Sequence, residues 1–441
     1  MLIPTHTRKP LLLLAVASLS SGVVLQTQAQ TAAKPGAEVV TMEKFKVTDV
    51  PIDKQILPTS RPFNSVFGTD DNIVDVVMAT VASVYHTGDP LWVMLIGAPS
   101  SGKTEIMRGF DKHPDCYFID SVTPATFVTG FTKAKGILER MGPDPKTFVV
   151  QDFSTILSKP GDDRVQIMDQ LRQMYNGQYY NEWGNGKKFA WKGKISLIAG
   201  CTPDIEATTH SMSELGERFM YYRVKSDDQD ARLEMMKKAR EMEGQEKVAR
   251  DEISAALHGV MATIRLTPFS NIKMDQNLSD LLMGLVDITT SIRSVVKRNH
   301  YRREIVEYQP QLEGPGRMYK ACQVLMKSLA LVRGRTEVND EDYAIAVKVC
   351  VDSLPSVRRE ALRGLLEYAG QGGVRAKDVA QKTGYQSTES MGYHLSDLAA
   401  LGLVDRWIDP KCTGQVNAPF LFEVTPETVR KIKDCGLGDM M

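Results

Sequence analysis

The 441-residue chain has no excess of either charge: Lys plus Arg and Asp plus Glu both number 54. A balanced chain carries no global field to gather nucleic acid or an anionic lipid surface, so any such contact must be local. Cysteine spacing of the metal or disulfide kind is also missing. Cys116, Cys201, Cys322, Cys350, Cys412 and Cys435 contain no Cys-x-x-Cys pair, and no His stands at zinc-ligand spacing from them. This excludes a disulfide framework and a zinc finger and points to buried thiols from a reducing compartment. Long apolar runs are scarce. The run Leu11 to Leu25 holds about fifteen residues, several of them Ser, against the about 20 that a spanning helix needs. No train of alternating ten-residue segments suggests a membrane barrel. What remains, 42% apolar and 24% charged, is a soluble globular mixture, and the length suggests two to four domains.

The first 75 residues disagree with a reducing compartment. Arg8 and Lys9 precede the apolar run, and Ala29, Ala32 and Ala33 follow it, the pattern of a secretory signal in residues 1–33. Residues 34–75, from Glu38-Val-Val-Thr-Met-Glu-Lys-Phe-Lys to Ile56-Leu-Pro-Thr-Ser-Arg-Pro-Phe-Asn and on to Asp75, resemble the start of the plug in TonB-dependent outer-membrane receptors. The resemblance stops there. From Val76 onward the chain reads as a cytoplasmic nucleotide machine with no membrane contact. The segment before it reads as a fused piece that is disordered, the alternative being an unusual native extension.

Leu91-Trp-Val-Met-Leu-Ile96 is a buried parallel strand by length and composition, and Gly97-Ala98-Pro99-Ser100-Ser101-Gly102-Lys103-Thr104 follows it directly. This is G-x-x-x-x-G-K-[ST] in its expected setting. Two glycines let backbone N–H groups approach phosphate, Lys103 reaches the β and γ phosphates, and Thr104 ligates Mg²⁺. A second strand, Thr147 to Val150, ends at Gln151-Asp152-Phe153-Ser154, where Asp152 is the candidate to hold Mg²⁺. A third, Ile195 to Ala199, leads into Gly200-Cys201-Thr202-Pro203. Leu215-Gly216-Glu217-Arg218-Phe219 then runs from a helix into a strand.

Between the second and third strands, Asn185-Gly186 flanked by alternating aromatics predicts a hairpin with a type I′ turn. Lys187 and Lys188 stand at its tip, Lys192 and Lys194 behind. These lysines could follow a nucleic-acid backbone while Trp183 and Trp191 stack on bases; alternatively, the tryptophans pack on their own domain. Further on, Met318 to Val332 has helical spacing behind Gly314-Pro-Gly-Arg317, and Asn339-Asp-Glu-Asp caps another helix. Lys297-Arg298 and Arg302-Arg303 form a basic cluster read as a solvated face or a subunit contact.

The order of these motifs over residues 76–355 resembles the minichromosome-maintenance branch of AAA+ ATPases, and also ATPases of phages and other mobile elements. The resemblance implies a three-layer α/β P-loop core (76–226) and a helical lid (227–355). It also implies a polar sensor at Thr202, an arginine finger at Arg218 acting on a neighbouring subunit, a second sensor at Arg317, and therefore a ring, a hexamer. Most members carry Asp-Glu where this chain has Gln151-Asp152. Asp152 then stands in the base's place and Gln151 in the metal ligand's, which weakens hydrolysis or leaves a nucleotide switch.

Residues 356–432, three helices and then two strands round a polar segment, resemble a winged helix, with Ser387-Thr388-Glu389-Ser390 leading the recognition helix; residues 433–441 are a tail. Its ten basic and nine acidic residues between 357 and 431 give no local excess for DNA. His394 reads as a surface or core residue. The expectation is an Mg·ATP-dependent ATPase coupled to DNA translocation or remodelling in mobile-element replication. Its rival is a winged-helix regulator switched by nucleotide.

Overall fold

The computed structural model describes residues 72–208, 218–224, 233, 236–237, 240–299, 301–302, 305–415 and 418–438. The signal-like run and the plug-like segment up to residue 71, the helix expected at Leu215 to Glu217, and Arg303 of the basic cluster lie outside them. The chain divides into two compact units: one reaches to Met274 and adds Val324–Asp342, the other comprises Asp275–Gln323 and Tyr343 onward. The expected lid is thus split between them.

The first unit is built on a five-stranded, all-parallel sheet of β1 (Trp92–Ile96), β2 (Cys116–Ile119), β3 (Lys146–Val150), β6 (Ile195–Cys201) and β7 (Met220–Arg223), in the order β2-β3-β6-β1-β7. Parallel strands need both faces covered, which is why β1 is apolar throughout, β6 carries Ser196 as its one polar side chain, and both are fully buried. On one face Trp92, Met94, Phe148, Val150, Leu197 and Ala199 meet the helix Gly161–Tyr175. On the other, the helix Ile73–Ala82 is buried along its whole length and packs on β1, β3 and β6, with Ser83 Oγ 2.7 Å from Ser196 Oγ. The sheet flanked by helices is the α/β class expected. β2 was not foreseen, because its short, half-buried run lacks the unbroken apolar signal of its neighbours.

Helix Ile73–Ala82 also moves the expected start of the folded region upstream of Val76. Asp75 is 2% exposed and forms an ion pair of 3.0 Å with Arg333, whose guanidinium also reaches Asn72 and Asp342. A carboxylate this deep persists only with a partner, so Asn72–Asp75 belong to this unit and not to the receptor-like segment.

Between β3 and β6, β4 (Gln178–Glu182) and β5 (Lys188–Lys192) form the expected hairpin. Its turn differs from the expected type I′. Gly186 N donates to Trp183 O at 2.9 Å, Trp183 N donates to Lys187 O at 2.9 Å, and only Gly186 takes positive φ, +81°. This is a type I turn closed by a glycine bulge, which needs one left-handed residue rather than two.

In the second unit the helix Gln276–Arg293 starts at Asp275, whose carboxylate accepts from Leu278 N at 2.7 Å. Lys431, on the helix Pro426–Asp434, pairs with Asp287 at 3.0 Å. The C-terminal region carries helices Ser356–Leu366, Ala376–Thr383 and Thr388–Ala400 and a three-stranded antiparallel sheet of β8 (Val374–Arg375), β9 (Val404–Ile408) and β10 (Phe420–Val424) in the order β8-β10-β9. Gly370, Gly372 and Gly373, with φ from +77° to +87°, turn the chain so that Val374 pairs with Phe422 and adds a third strand to the two expected. The basic cluster is partly consumed here: Arg298 donates to Asp397 and to Tyr393 O, and Lys297 pairs with Glu307. All six cysteines are free thiols.

Candidate functional site

The C-terminal ends of β1, β6 and β3 bring Gly97–Thr104, Thr202 and Asp152 to one end of the sheet. After Ile96 the chain makes a tight loop in which Ser100 and Gly102 both take positive φ, +62° and +83°, before the helix Lys103–Arg108. Left-handed residues alternating with right-handed ones are the backbone pattern of an anion-binding nest, and the loop is tied by Ser101 N donating to Ala98 O at 3.3 Å. Gly97 is held to glycine by space: a Cβ there would stand 2.8 Å from Ser101 Oγ and 3.1 Å from Val224 Cβ. Lys103 Nζ folds back over this loop and donates to Gly97 O and Ala98 O at 2.7 Å and to Ser101 Oγ at 2.9 Å. Burial pulls its ammonium below the ordinary lysine value, while Cys201 and Asp152 oppose that shift. An ammonium satisfied by neutral carbonyls has exchangeable partners, and an anion in the loop would be a better one. Ala98 and Thr104 are half-buried, and Pro99 and Ser100 exposed.

Asp152 is exposed at the end of β3, its Oδ1 accepting from Ser154 N at 2.9 Å. Register pairs Val150 with Ala199 and Ile96 with Cys201, so Asp152 and Thr202 follow neighbouring strand ends beside the loop. Thr202 is half-buried, with Oγ1 3.2 Å from Asp204 Oδ2 and 3.5 Å from Ser154 Oγ. Oxygen donors of this kind, the Thr104 hydroxyl and the Asp152 carboxylate, suit a hard cation such as Mg²⁺. Two motifs that looked separate in sequence share one contact: Phe153, fully buried, packs edge-on against Phe219 with ring centres 5.4 Å apart. That contact anchors Asp152 and the Arg218 segment to the same core.

Arg218 is half-buried at the entry to the edge strand β7, its guanidinium 5.4 Å from the centre of the Tyr175 ring. Arg317 is exposed on the first turn of the helix Gly316–Val332 and belongs to the second unit.

The hairpin lysines differ from the expected projecting tip. Lys187 Nζ donates to Thr129 O at 2.8 Å and Phe131 O at 3.1 Å and pairs with Glu139 at 2.9 Å. Burial would raise the Glu139 carboxyl, but the Lys187 and Gly136 hydrogen bonds outweigh it and hold it below its ordinary value. Asn185 Nδ2 donates to Gly130 O, Trp191 Nε1 donates to Gly142 O, and Trp183 covers Gly130. Both tryptophans therefore pack on their own domain, and Lys187 is a clamp on the 128–136 loop. Lys194 donates to His86 O at 2.6 Å. Lys188 stays 64% exposed, opposite Glu182 at 3.0 Å.

In the C-terminal region Ser387 and Thr388 are exposed and Ser390 is half-buried. Ser387 Oγ caps the Thr388–Ala400 helix by accepting from Ser390 N at 3.1 Å, which accounts for a Ser at this position without a ligand. His394 is half-buried, its Nδ1 4.0 Å from Asp397.

Sequence reasoning missed Asp120, exposed just past β2, whose Oδ1 accepts from Gln151 Nε2 at 3.4 Å. With β2 unread, nothing placed Asp120 at this end of the sheet. Among the described residues no cluster of His, Cys, Asp and Glu could hold a metal ion by itself, and no helix is long and apolar enough to cross a membrane. No family profile matches the chain, and no curated protein matches it.

Proposed function

We propose that the chain is an ATP-binding AAA+ ATPase with a C-terminal winged helix, coupling hydrolysis to DNA translocation or remodelling in mobile-element replication. One observation carries the reading: the Gly97–Thr104 cradle with Lys103 folded over it, at the same end of the sheet as Asp152 and Thr202. The strand order, with β1 between β6 and β7, supports the AAA+ assignment. The succession of helix, β8, two helices, β9 and β10 supports the winged helix.

In this account the backbone N–H groups of Ser100 to Lys103 bind the phosphates and the Lys103 side chain leaves its carbonyl partners for the β and γ oxygens. Mg²⁺, when bound with the nucleotide, neutralises charge on the phosphate oxygens. Thr104 and Asp152 hold it, and Thr202, steadied by Asp204, orients water. Arg218 serves a neighbour's nucleotide in a ring, a hexamer, and Arg317 is the second sensor. DNA is met by Lys188 and by the Ser387, Thr388 and Ser390 face; Lys187 is engaged within its own domain and is not part of that path.

A nucleotide-switched DNA-binding regulator is the second reading, favoured by Gln151 standing where a metal-holding acid is expected. The discriminating experiment is ATP turnover by residues 70–441 with and without DNA. Stimulation by DNA, loss in Arg218→Ala, and partial recovery when Arg218→Ala is mixed with Lys103→Ala support the ring ATPase. Tight nucleotide binding with no phosphate release, and operator binding that depends on nucleotide, would replace it with the switch.

A further inference from the structure

The nucleotide-site reading leaves Gln151 without a role, and an amide in place of a carboxylate needs a reason to face its oxygen toward a cation. A glutamine side chain carries a donor, Nε2, and an acceptor, Oε1, on opposite sides of one carbon, so fixing the donor fixes the acceptor. Here Nε2 lies 3.4 Å from Asp120 Oδ1. Strand register makes this neighbourhood systematic. Ile119 pairs with Val150 and Val150 with Ala199, so Asp120, Gln151 and Gly200 stand in one row across β2, β3 and β6.

Side chains in a row of a parallel sheet share a face. At Gly200 that face is the one covered by the phosphate-loop helix, since a Cβ there would approach Met107 Cε at 3.0 Å. Ser196, two rows earlier in phase on β6, meets Ser83 on the same side. Gln151 and Asp120 therefore belong to the face that carries Lys103 and Thr104, whereas Val150 and Cys201 belong to the opposite core.

We propose that Asp120 is a positioning residue of this site: by accepting from Gln151 Nε2 it presents Gln151 Oε1 to the hydration shell of a nucleotide-bound Mg²⁺. The pair replaces a single metal-facing carboxylate with a neutral oxygen held by a charge one strand away. Asp120 acts through Gln151 and touches neither nucleotide nor metal. The inference rests on the nucleotide-site reading and adds the residue that makes Gln151 serviceable there.

The test is equilibrium binding of a fluorescent ATP analogue to the full chain, in Mg²⁺ and in chelator, without reference to turnover. Outer partners of metal-facing groups are worth roughly 10- to 100-fold in metal response. Asp120→Ala, which removes the acceptor, should lose about tenfold of the Mg²⁺ enhancement while affinity in chelator stays unchanged, and Gln151→Ala should do the same. Gln151→Asp should restore the response in the Asp120→Ala background, because a carboxylate at 151 needs no neighbour to orient it. Asp120→Ala with the wild-type Mg²⁺ response overturns the inference and leaves the nucleotide site standing. Failure of Gln151→Asp to restore the response also overturns it, because Asp120 would then not act through Gln151. A wild-type chain that binds no nucleotide overturns both.

Discussion

Replacing Asp342 by alanine removes the centre of a buried charge network. The carboxylate is 0% exposed and accepts from Arg335 at 2.7 and 2.8 Å, from Arg333 at 3.2 Å and from Asn339 N at 3.1 Å. Arg335, 27% exposed, can turn to water. Arg333 cannot: it is 6% exposed and would keep Asp75 and the largely exposed Glu341. Breaking a buried pair from one side typically costs 3–5 kcal/mol, mostly from the charge left behind. Asp342→Ala should therefore lower the stability of the first unit by about 4 kcal/mol. Arg333→Met added to it should cost at least about 1–2 kcal/mol more, since the buried Asp75 carboxylate then loses its guanidinium partner. Urea unfolding followed by far-ultraviolet circular dichroism at several wavelengths, with the two units' transitions fitted separately, measures both. A loss below about 1 kcal/mol, or a double variant as stable as the single one or more so, would refute the reasoning.

Three further outcomes follow from other parts of the fold. Gly200→Ala would bring a Cβ to 2.4 Å from Gln151 O and should cost about 2 kcal/mol or more by forcing β3 and β6 apart, read by the same unfolding assay. Burial, with a further push from His258, holds His113 at about 4, below its ordinary 6.5. The unfolded chain therefore takes up the proton first, so this contribution is whole above pH 6.5 and lost as pH falls toward 4. Wild type should lose about 2 kcal/mol more between pH 7 and 5 than His113→Phe, and equal losses would contradict the assignment. Lys187→Ala should destabilise the hairpin by about 1–2 kcal/mol yet leave the salt dependence of DNA binding unchanged, whereas Lys188→Ala should reduce its slope by about one; identical slopes for both variants would count against the Lys188 path.

The parts of the fold that were legible in sequence are those whose signal is local and redundant. The strands around Val93, Val149 and Leu197 each hold a dense apolar run, and the glycine-lysine loop follows the first without a gap. β2 and β8 were not legible, because a four-residue half-buried strand and a two-residue strand have no period to detect, and each exists only through its neighbour. Asp120 was lost with β2. Lys187 was misread for a related reason: sequence places a lysine at a hairpin tip but not the three oxygens of Thr129, Phe131 and Glu139 that collect around it. The Phe153–Phe219 contact spans 66 positions of chain and could not be inferred from either motif alone.

The central claim is that the Gly97–Thr104 loop holds the triphosphate of a nucleotide through its backbone and Lys103. Calorimetric titration of Mg·ATP into wild type and Lys103→Ala tests it most directly. The account predicts one site per chain in wild type and at least a tenfold weaker one in the variant, with unchanged melting of the unliganded proteins. Equal affinities, or no heat of binding in either, would contradict it.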